Sequence, residues 1–224
     1  MIKYITAIIL SLILGRPQSK KEPGTISYLA LGDSYTIGES VKAADSFPFQ
    51  LQRKLVKEGI NVSAPKIIAK TGWTTGDLLN AIEREKPSHS YSLVTLLIGV
   101  NNQYRGYSKD EYRKEFKELL NKSIGFANNK KEHVFVISIP DWGVTDYARQ
   151  NGFNPQTVAK EIDAFNAINK EETLKMGVSY TDITPDSRLA KTDASLITND
   201  GLHPSAKMYA KWVGNLSKKI RHMH

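Results

Sequence analysis

The stretch ISYLALGDSYTIG, residues 26–38, decides how this chain folds. Tyr28, Leu29, Ala30 and Leu31 form a short apolar run, which Gly32, Asp33 and Ser34 interrupt. An apolar run of that length, stopped by glycine and small polar residues, reads as a buried strand ending in a turn. A serine on such a turn is held at the edge of a sheet, where it is placed to act as a nucleophile. Gly-Asp-Ser is equally a common turn tripeptide. Partners elsewhere in the chain must separate the two readings.

The same pattern of strand followed by turn recurs along the chain. Residues 66–69 (KIIA) lead into 70–75 (KTGWTT), and residues 93–98 (LVTLLI) lead into Gly99, Val100, Asn101 and Asn102. Residues 134–139 (VFVISI) lead into Pro140, Asp141, Trp142 and Gly143, and residues 178–181 supply a last short strand. Near-continuous apolar runs are what strands buried on both faces look like. Helical patterns lie between them. One has Asp45 or Ser46 as its cap, Pro48 in its first turn and Gly59 at its end. Others run over 76–84, from a Ser108/Glu111 capping box to about 127, and from Asn154-Pro155 through 176 with Gly177 closing it. A final helix opens at Pro204-Ser205 and carries Met208, Trp212, Val213 and Leu216. The residues after Ser34 read as loop and 186–201 as irregular. Strands alternating with helices predict an α/β fold: a three-layer α/β/α sandwich around a flavodoxin-like parallel sheet of about five strands. Sites in such sheets lie beyond the carboxyl ends of the strands. Ser34, Gly72, Asn101 and Trp142 each follow a predicted strand, so the fold class itself brings them to one edge.

Composition limits the alternatives. The chain has 224 residues, 40% of them hydrophobic and 24% charged, enough for one domain with a sizeable core. It has no cysteine, which excludes disulfides, a cysteine nucleophile and thiolate metal ligands. The net charge is +8, but Lys20-Lys21, Lys130-Lys131 and Lys218-Lys219 are scattered, with acidic residues between. Nucleic-acid binders cluster their basic residues on one side, so a solvated basic surface is the better reading and no nucleic-acid partner is expected. Residues 1–14 (MIKYITAIILSLIL) join a positive start to an apolar run too short for a stable membrane span. That is the pattern of a secretory signal peptide. Arg16 stands where a lipoprotein signal needs cysteine, so no lipid is attached there. Residues 1–18 read as signal peptide, 19–24 as linker and 25–221 as the folded domain, and the protein as exported, periplasmic or extracellular.

Ser34 needs a base, and the chain offers five histidines. His222 and His224 lie in the tail, His89 in a polar turn and His133 after a basic stretch, which are surface settings. His203 sits in Asp200-Gly201-Leu202-His203-Pro204, just before the last helix. From there an imidazole reaches over the sheet edge, and Asp200 three residues earlier can orient it. The donors for an oxyanion are the Ser34 N–H, the Gly72 N–H and the Asn101 side chain. Each of these residues alone also reads as an ordinary turn residue. Together they fall at successive strand ends in a workable order.

These four blocks, Gly32-Asp33-Ser34-Tyr35, Gly72, Gly99-Val100-Asn101-Asn102 and Asp200-Gly201-Leu202-His203, resemble the SGNH hydrolase superfamily of GDSL esterases and lipases. The resemblance spans nearly all of residues 26–216. It implies Ser34 as nucleophile, His203 as base, Asp200 as its orienting partner, and Ser34, Gly72 and Asn101 as oxyanion donors, with no metal or organic cofactor. It implies hydrolysis of carboxylic esters, acyl or acetyl, in members that range from lipases to lysophospholipases and carbohydrate esterases. One position departs from the pattern: the third block usually reads Gly-x-Asn-Asp, and here Asn102 replaces the aspartate. Tyr104, Tyr107, Trp142, Tyr147 and Phe153 fall after the third and fourth strands, with Trp142 and Tyr104 the first choices for substrate contacts. No long apolar lid is visible, so a short or medium acyl chain is expected. The alternative function is a non-catalytic module on the same scaffold that binds glycans or an envelope component. It has no need of all five site residues. Nothing in the sequence speaks to oligomeric state.

Overall fold

The five apolar runs become five strands in the computed structural model, which describes residues 24–221. They are β1 (Tyr28–Gly32), β2 (Lys66–Ala69), β3 (Leu93–Leu97), β4 (Val134–Ile137) and β5 (Ser179–Thr181). All pair in parallel, in the order β2-β1-β3-β4-β5. Every residue of β1, β3 and β4 is buried, whereas the edge strands β2 and β5 keep partly exposed positions. The difference follows from position: central strands of a parallel sheet are covered on both faces. Each buried leucine or valine contributes about 1.5–3 kcal/mol. One polar residue interrupts the apolar run of β3, and it is satisfied: Thr95 Oγ1 lies 3.0 Å from the Tyr28 hydroxyl on the neighbouring strand.

Helices cover both faces. On one side α2 (Phe47–Lys57) packs against α9 (Ala206–Ile220). On the other, α3 (Thr75–Glu85), α5 (Lys109–Phe126) and α7 (Pro155–Lys175) pack in series. Asn154 caps α7 by accepting from Gln156 and Thr157 N–H groups, and Ser205 caps α9. The protein is thus a three-layer α/β/α sandwich with flavodoxin-like strand order.

Several local expectations need correction. The residues after Ser34 are not loop but one helical turn, α1 (Ser34–Ile37), and two more short helices, α4 (Val100–Tyr104) and α6 (Asp146–Gln150), follow β3 and β4. The segment read as irregular, 186–201, begins inside α8 (Thr184–Arg188) and continues in two 3₁₀ turns. A single turn is too short to show apolar periodicity, so pattern reading passes over it. At the start of α2 neither proposed side chain caps, because Ser46 Oγ donates to the Ala43 carbonyl instead. At α5, Ser108 accepts from the Glu111 N–H as expected. The reciprocal capping box instead belongs to α3, between Thr74 and Asp77.

The chain reverses direction across the sheet between β1 and β3, the place where doubly wound sheets open a crevice. Gly32 at the end of β1 pairs with Leu97 at the end of β3. A Cβ at position 32 would stand 2.1 Å from Thr36 Oγ1 and 2.3 Å from the Leu97 carbonyl oxygen, so only glycine lets the two strand ends close. No helix among the described residues is long and apolar enough to cross a membrane. The proposed signal peptide and linker, apart from Gly24, lie outside the described residues, as do His222 and His224.

Candidate active site

Ser34 is the first residue of α1, and Asp33 is its cap, with Oδ1 accepting the Tyr35 N–H at 3.0 Å. The first N–H groups of a helix have no intrahelical acceptor. The Ser34 N–H is therefore a donor free of the helix's own ladder, on the same residue as the hydroxyl. Gly72 occupies a turn closed by the Trp73 N–H on the Lys70 carbonyl at 3.2 Å. Its φ of +81° is the left-handed geometry required at the third residue of a type II turn. Asn101 lies in the first turn of α4, shortly after Gly99.

The fold brings these residues to one cavity of about 160 Å³ at the β1/β3 crevice. Ser34, Gly72, Asn101 and His203 all line it, together with Tyr35, Thr71, Val100, Leu202 and the aromatic residues Tyr104, Trp142 and Tyr147. Asp200 lies behind His203, with Oδ2 2.7 Å from Nδ1 of the imidazole. A carboxylate there accepts the Nδ1 proton, which leaves Nε2 as the basic nitrogen. The Tyr35 ring, 5.8 Å centre to centre, flanks the imidazole.

Asp200 is itself held by groups that the sequence does not single out. Burial works against its charge. Hydrogen bonds from the Ser40 hydroxyl (2.5 Å), the His203 N–H (2.9 Å), the Thr198 hydroxyl (2.7 Å) and the Leu202 N–H (2.8 Å) outweigh it and hold the carboxyl well below the usual range. Asp200 is therefore ionised at any pH where an imidazole titrates. Ser40 lies just beyond α1 and has no sequence signal. The His203 and Leu202 contacts are the ordinary turn bonds that an Asp-Gly signal does announce.

The oxyanion candidates are tied to each other. Asn101 Nδ2 donates to the Trp73 carbonyl at 2.9 Å, and Arg105 Nη2 donates to the Gly72 carbonyl at 2.7 Å. Both bonds join α4 and its exit to the turn that carries Gly72. Nothing in the sequence pairs Arg105 with a turn 33 residues away. Tyr104 is 46% exposed at the cavity mouth and its hydroxyl lies 3.1 Å from that of Tyr147. Trp142 is buried and anchored, its Nε1 donating to Gln103 Oε1 at 2.8 Å, while Gln103 Nε2 donates to Glu161 at 2.7 Å. Trp142 is thus a fixed wall. Tyr147 belongs to α6 rather than a loop. Phe153 packs behind Trp142 at 4.8 Å and faces a neighbouring cleft, and Tyr107 does not line the cavity. Among the described residues no three histidine or acidic side chains converge to hold a metal ion.

Asp33 contrasts with Asp200. Burial pushes its carboxyl up to about 7, although the N–H groups of Tyr35, Asp33 and Gly99 pull the other way. An acid raised from 3.8 binds more protons folded than unfolded between those two values. Its contribution is fully present below about pH 4 and is lost as pH rises to about 7. Asp33→Asn keeps an oxygen for the Tyr35 N–H and removes the ionisation. Its melting temperature relative to wild type should be higher at pH 8 than at pH 4, because only the wild-type carboxyl has to ionise in a buried site as pH rises. Identical pH dependence of the two melting curves would contradict the buried carboxyl.

Comparison with known proteins agrees with this architecture. Solved structures with the same fold include the psychrotrophic esterase EstA from Pseudoalteromonas (17% identity, 88% of this chain and 97% of that one, TM-score 0.64). A lipase/acylhydrolase from Enterococcus faecalis (19%, 88% and 96%, TM-score 0.68) and a variant of an acetyl-xylooligosaccharide esterase from Geobacillus (16%, 87% and 94%, TM-score 0.68) are similar too. At these identities the likeness is one of fold. A sequence comparison with curated proteins finds no match. Residues 30–211, from within β1 to within α9, match the GDSL-like lipase/acylhydrolase family. With that match covering most of the sequence, the chain belongs to the GDSL-like lipase/acylhydrolase family.

Proposed function

We propose that this chain is a serine esterase that cleaves short-chain carboxylic esters through an acyl-enzyme on Ser34. The observation that carries the reading is the 2.7 Å contact between His203 Nδ1 and Asp200, with His203 and Ser34 on the walls of one cavity. An imidazole fixed by an ionised carboxylate has its Nε2 available to take a proton, which is what a serine hydroxyl requires to attack.

In this reading the ester is cleaved in two steps. His203 takes the Ser34 proton as Oγ attacks the ester carbonyl. The carbonyl oxygen gains charge, and the Ser34 N–H, the Gly72 N–H and an Asn101 amide hydrogen serve as its donors. The tetrahedral intermediate collapses, the alcohol leaves with the proton from His203, and the acyl group stays on Oγ. Water then attacks this ester by the same route and releases the acid. Asp200 remains ionised throughout and stabilises the imidazolium. Family membership and the esterases among the structural neighbours support hydrolase chemistry in general.

Cavity size supports a short acyl group. About 160 Å³ lies below the usual range for ligand pockets, roughly 300–1,000 Å³, and Trp142, Tyr104 and Tyr147 close one side. Ser34→Ala and His203→Ala should each lower kcat on p-nitrophenyl acetate by about 10³-fold or more while leaving the melting temperature within a few degrees. Undiminished turnover by the folded Ser34→Ala protein would dismiss the nucleophile. Across p-nitrophenyl esters, kcat/KM should be highest for acetate to butyrate and fall steadily beyond. A maximum at long chains would contradict the short-acyl reading. Absence of turnover on every ester, with intact folding, would favour the glycan- or envelope-binding module.

A further inference from the structure

The position where the third block departs from the family's usual sequence is the start of a directed hydrogen-bond chain. Asn102 is fully buried on α4. Its Oδ1 accepts the Thr75 N–H at 3.0 Å, and its Nδ2 donates to Thr75 Oγ1 at 2.7 Å. A main-chain N–H can only donate, so the amide has a single allowed orientation. Thr75 Oγ1 must then accept from Asn102, and its own proton is left for Glu115 Oε2, against which it lies. Donation runs one way: from Asn102 to Thr75 to Glu115.

The chain links elements that hold the oxyanion donors to α5 behind them. Thr75 is the first residue of α3, at the end of the loop that carries Gly72 and Trp73. Asn102 is next to Asn101, whose amide already grips the Trp73 carbonyl. Glu115 reaches in from α5, and its Oε1 rests over Gly76, where a Cβ would stand 3.0 Å away. The carboxylate thus packs against a glycine at the second position of α3, where a side chain would press on it.

We propose that Glu115 is a positioning residue for the oxyanion donors, acting through Thr75, and that the amide at 102 and the carboxylate at 115 are a matched pair. This rests on the esterase reading above for its catalytic consequence. An aspartate at position 102 would turn an oxygen towards Thr75 Oγ1. One hydroxyl proton cannot serve two carboxylates, so one anion would lack a donor beside the other, in a place closed to water on the Thr75 side. Exchanging the two functions restores a complete chain in the opposite direction. With Asn102→Asp and Glu115→Gln together, the new amide at position 115 donates to Thr75, and Thr75 donates to the new carboxylate at position 102.

The test is a four-protein cycle of wild type, Asn102→Asp, Glu115→Gln and the double variant. It is read as kcat and KM on p-nitrophenyl acetate at about 25 °C and, separately, as melting temperature. Asn102→Asp should lower kcat about tenfold or more with KM within about twofold, and melt about 4 °C or more lower. Glu115→Gln alone keeps a weaker acceptor for Thr75 and should lose less kcat and less melting temperature than Asn102→Asp. The double variant should regain kcat to within about threefold and most of the lost melting temperature. An innocuous Asn102→Asp, or a double variant no better than Asn102→Asp, overturns the pairing. Rescued melting without rescued kcat overturns the positioning role. The melting cycle does not depend on turnover, so it decides the pairing even if wild type hydrolyses no ester, a result that would count against the esterase reading alone.

Discussion

The parallel pairing of β1 with β3 is the constraint on which the rest of this molecule depends. It is made close by the absence of a side chain at Gly32, which faces the Leu97 carbonyl and Thr36. That contact places the ends of two fully buried strands side by side at the point where the chain changes direction across the sheet. Whatever follows β1 must then lie beside whatever follows β3. Here those segments are α1, which begins with Ser34, and α4, which carries Asn101 and Asn102. Shared walls of one small cavity are therefore a consequence of strand register, before any site residue contacts another.

The two aspartates near the serine show how environment divides one residue type into two roles. Asp200 sits on a surface turn and gathers two hydroxyls and two main-chain N–H groups, which outweigh its partial burial and keep it charged. Asp33 is sealed under α1, where burial dominates and raises its carboxyl to about 7. The first is suited to hold an imidazole and to stabilise its cation. The second caps a helical turn and carries an electrostatic cost near neutral pH. A one-turn helix has few hydrogen bonds of its own to fix it, although Ser34, Tyr35 and Thr36 are buried. The Asp33 cap at its start and the Ser40 bond to Asp200 beyond its end therefore matter to how rigidly Ser34 is presented.

Strands and long helices can be read from the sequence because each has a repeating signal. Runs such as LVTLLI and VFVISI need burial on both faces, and α7 has Asn154-Pro155 at one end and Gly177 at the other. The five proposed site residues stand out in the sequence for a related reason: the fold class sends every strand-end turn to the same edge, and family-like blocks mark the turns that carry them. The structure places Ser34, Gly72, Asn101 and His203 on one cavity, with Asp200 bonded to His203. What stays hidden is of two kinds. Short helices such as α1, α4, α6 and α8 have no room for periodicity. The supporting partners, Ser40 with Asp200, Arg105 with Gly72 and Glu115 with Thr75, join residues tens of positions apart, and a single sequence carries no record of such distances. In the sequence Asn102 is only a departure from a pattern. Its meaning needs the direction of two hydrogen bonds.

If Ser34 is an activated nucleophile, covalent labelling will show it without any knowledge of the substrate. The purified protein is treated with a fluorophosphonate probe, then analysed by intact mass and peptide mapping. The arrangement of Ser34, His203 and Asp200 predicts one adduct per chain, on Ser34, and none when His203 is replaced by alanine. A folded protein that takes no label, or takes it on another serine, would contradict the assignment.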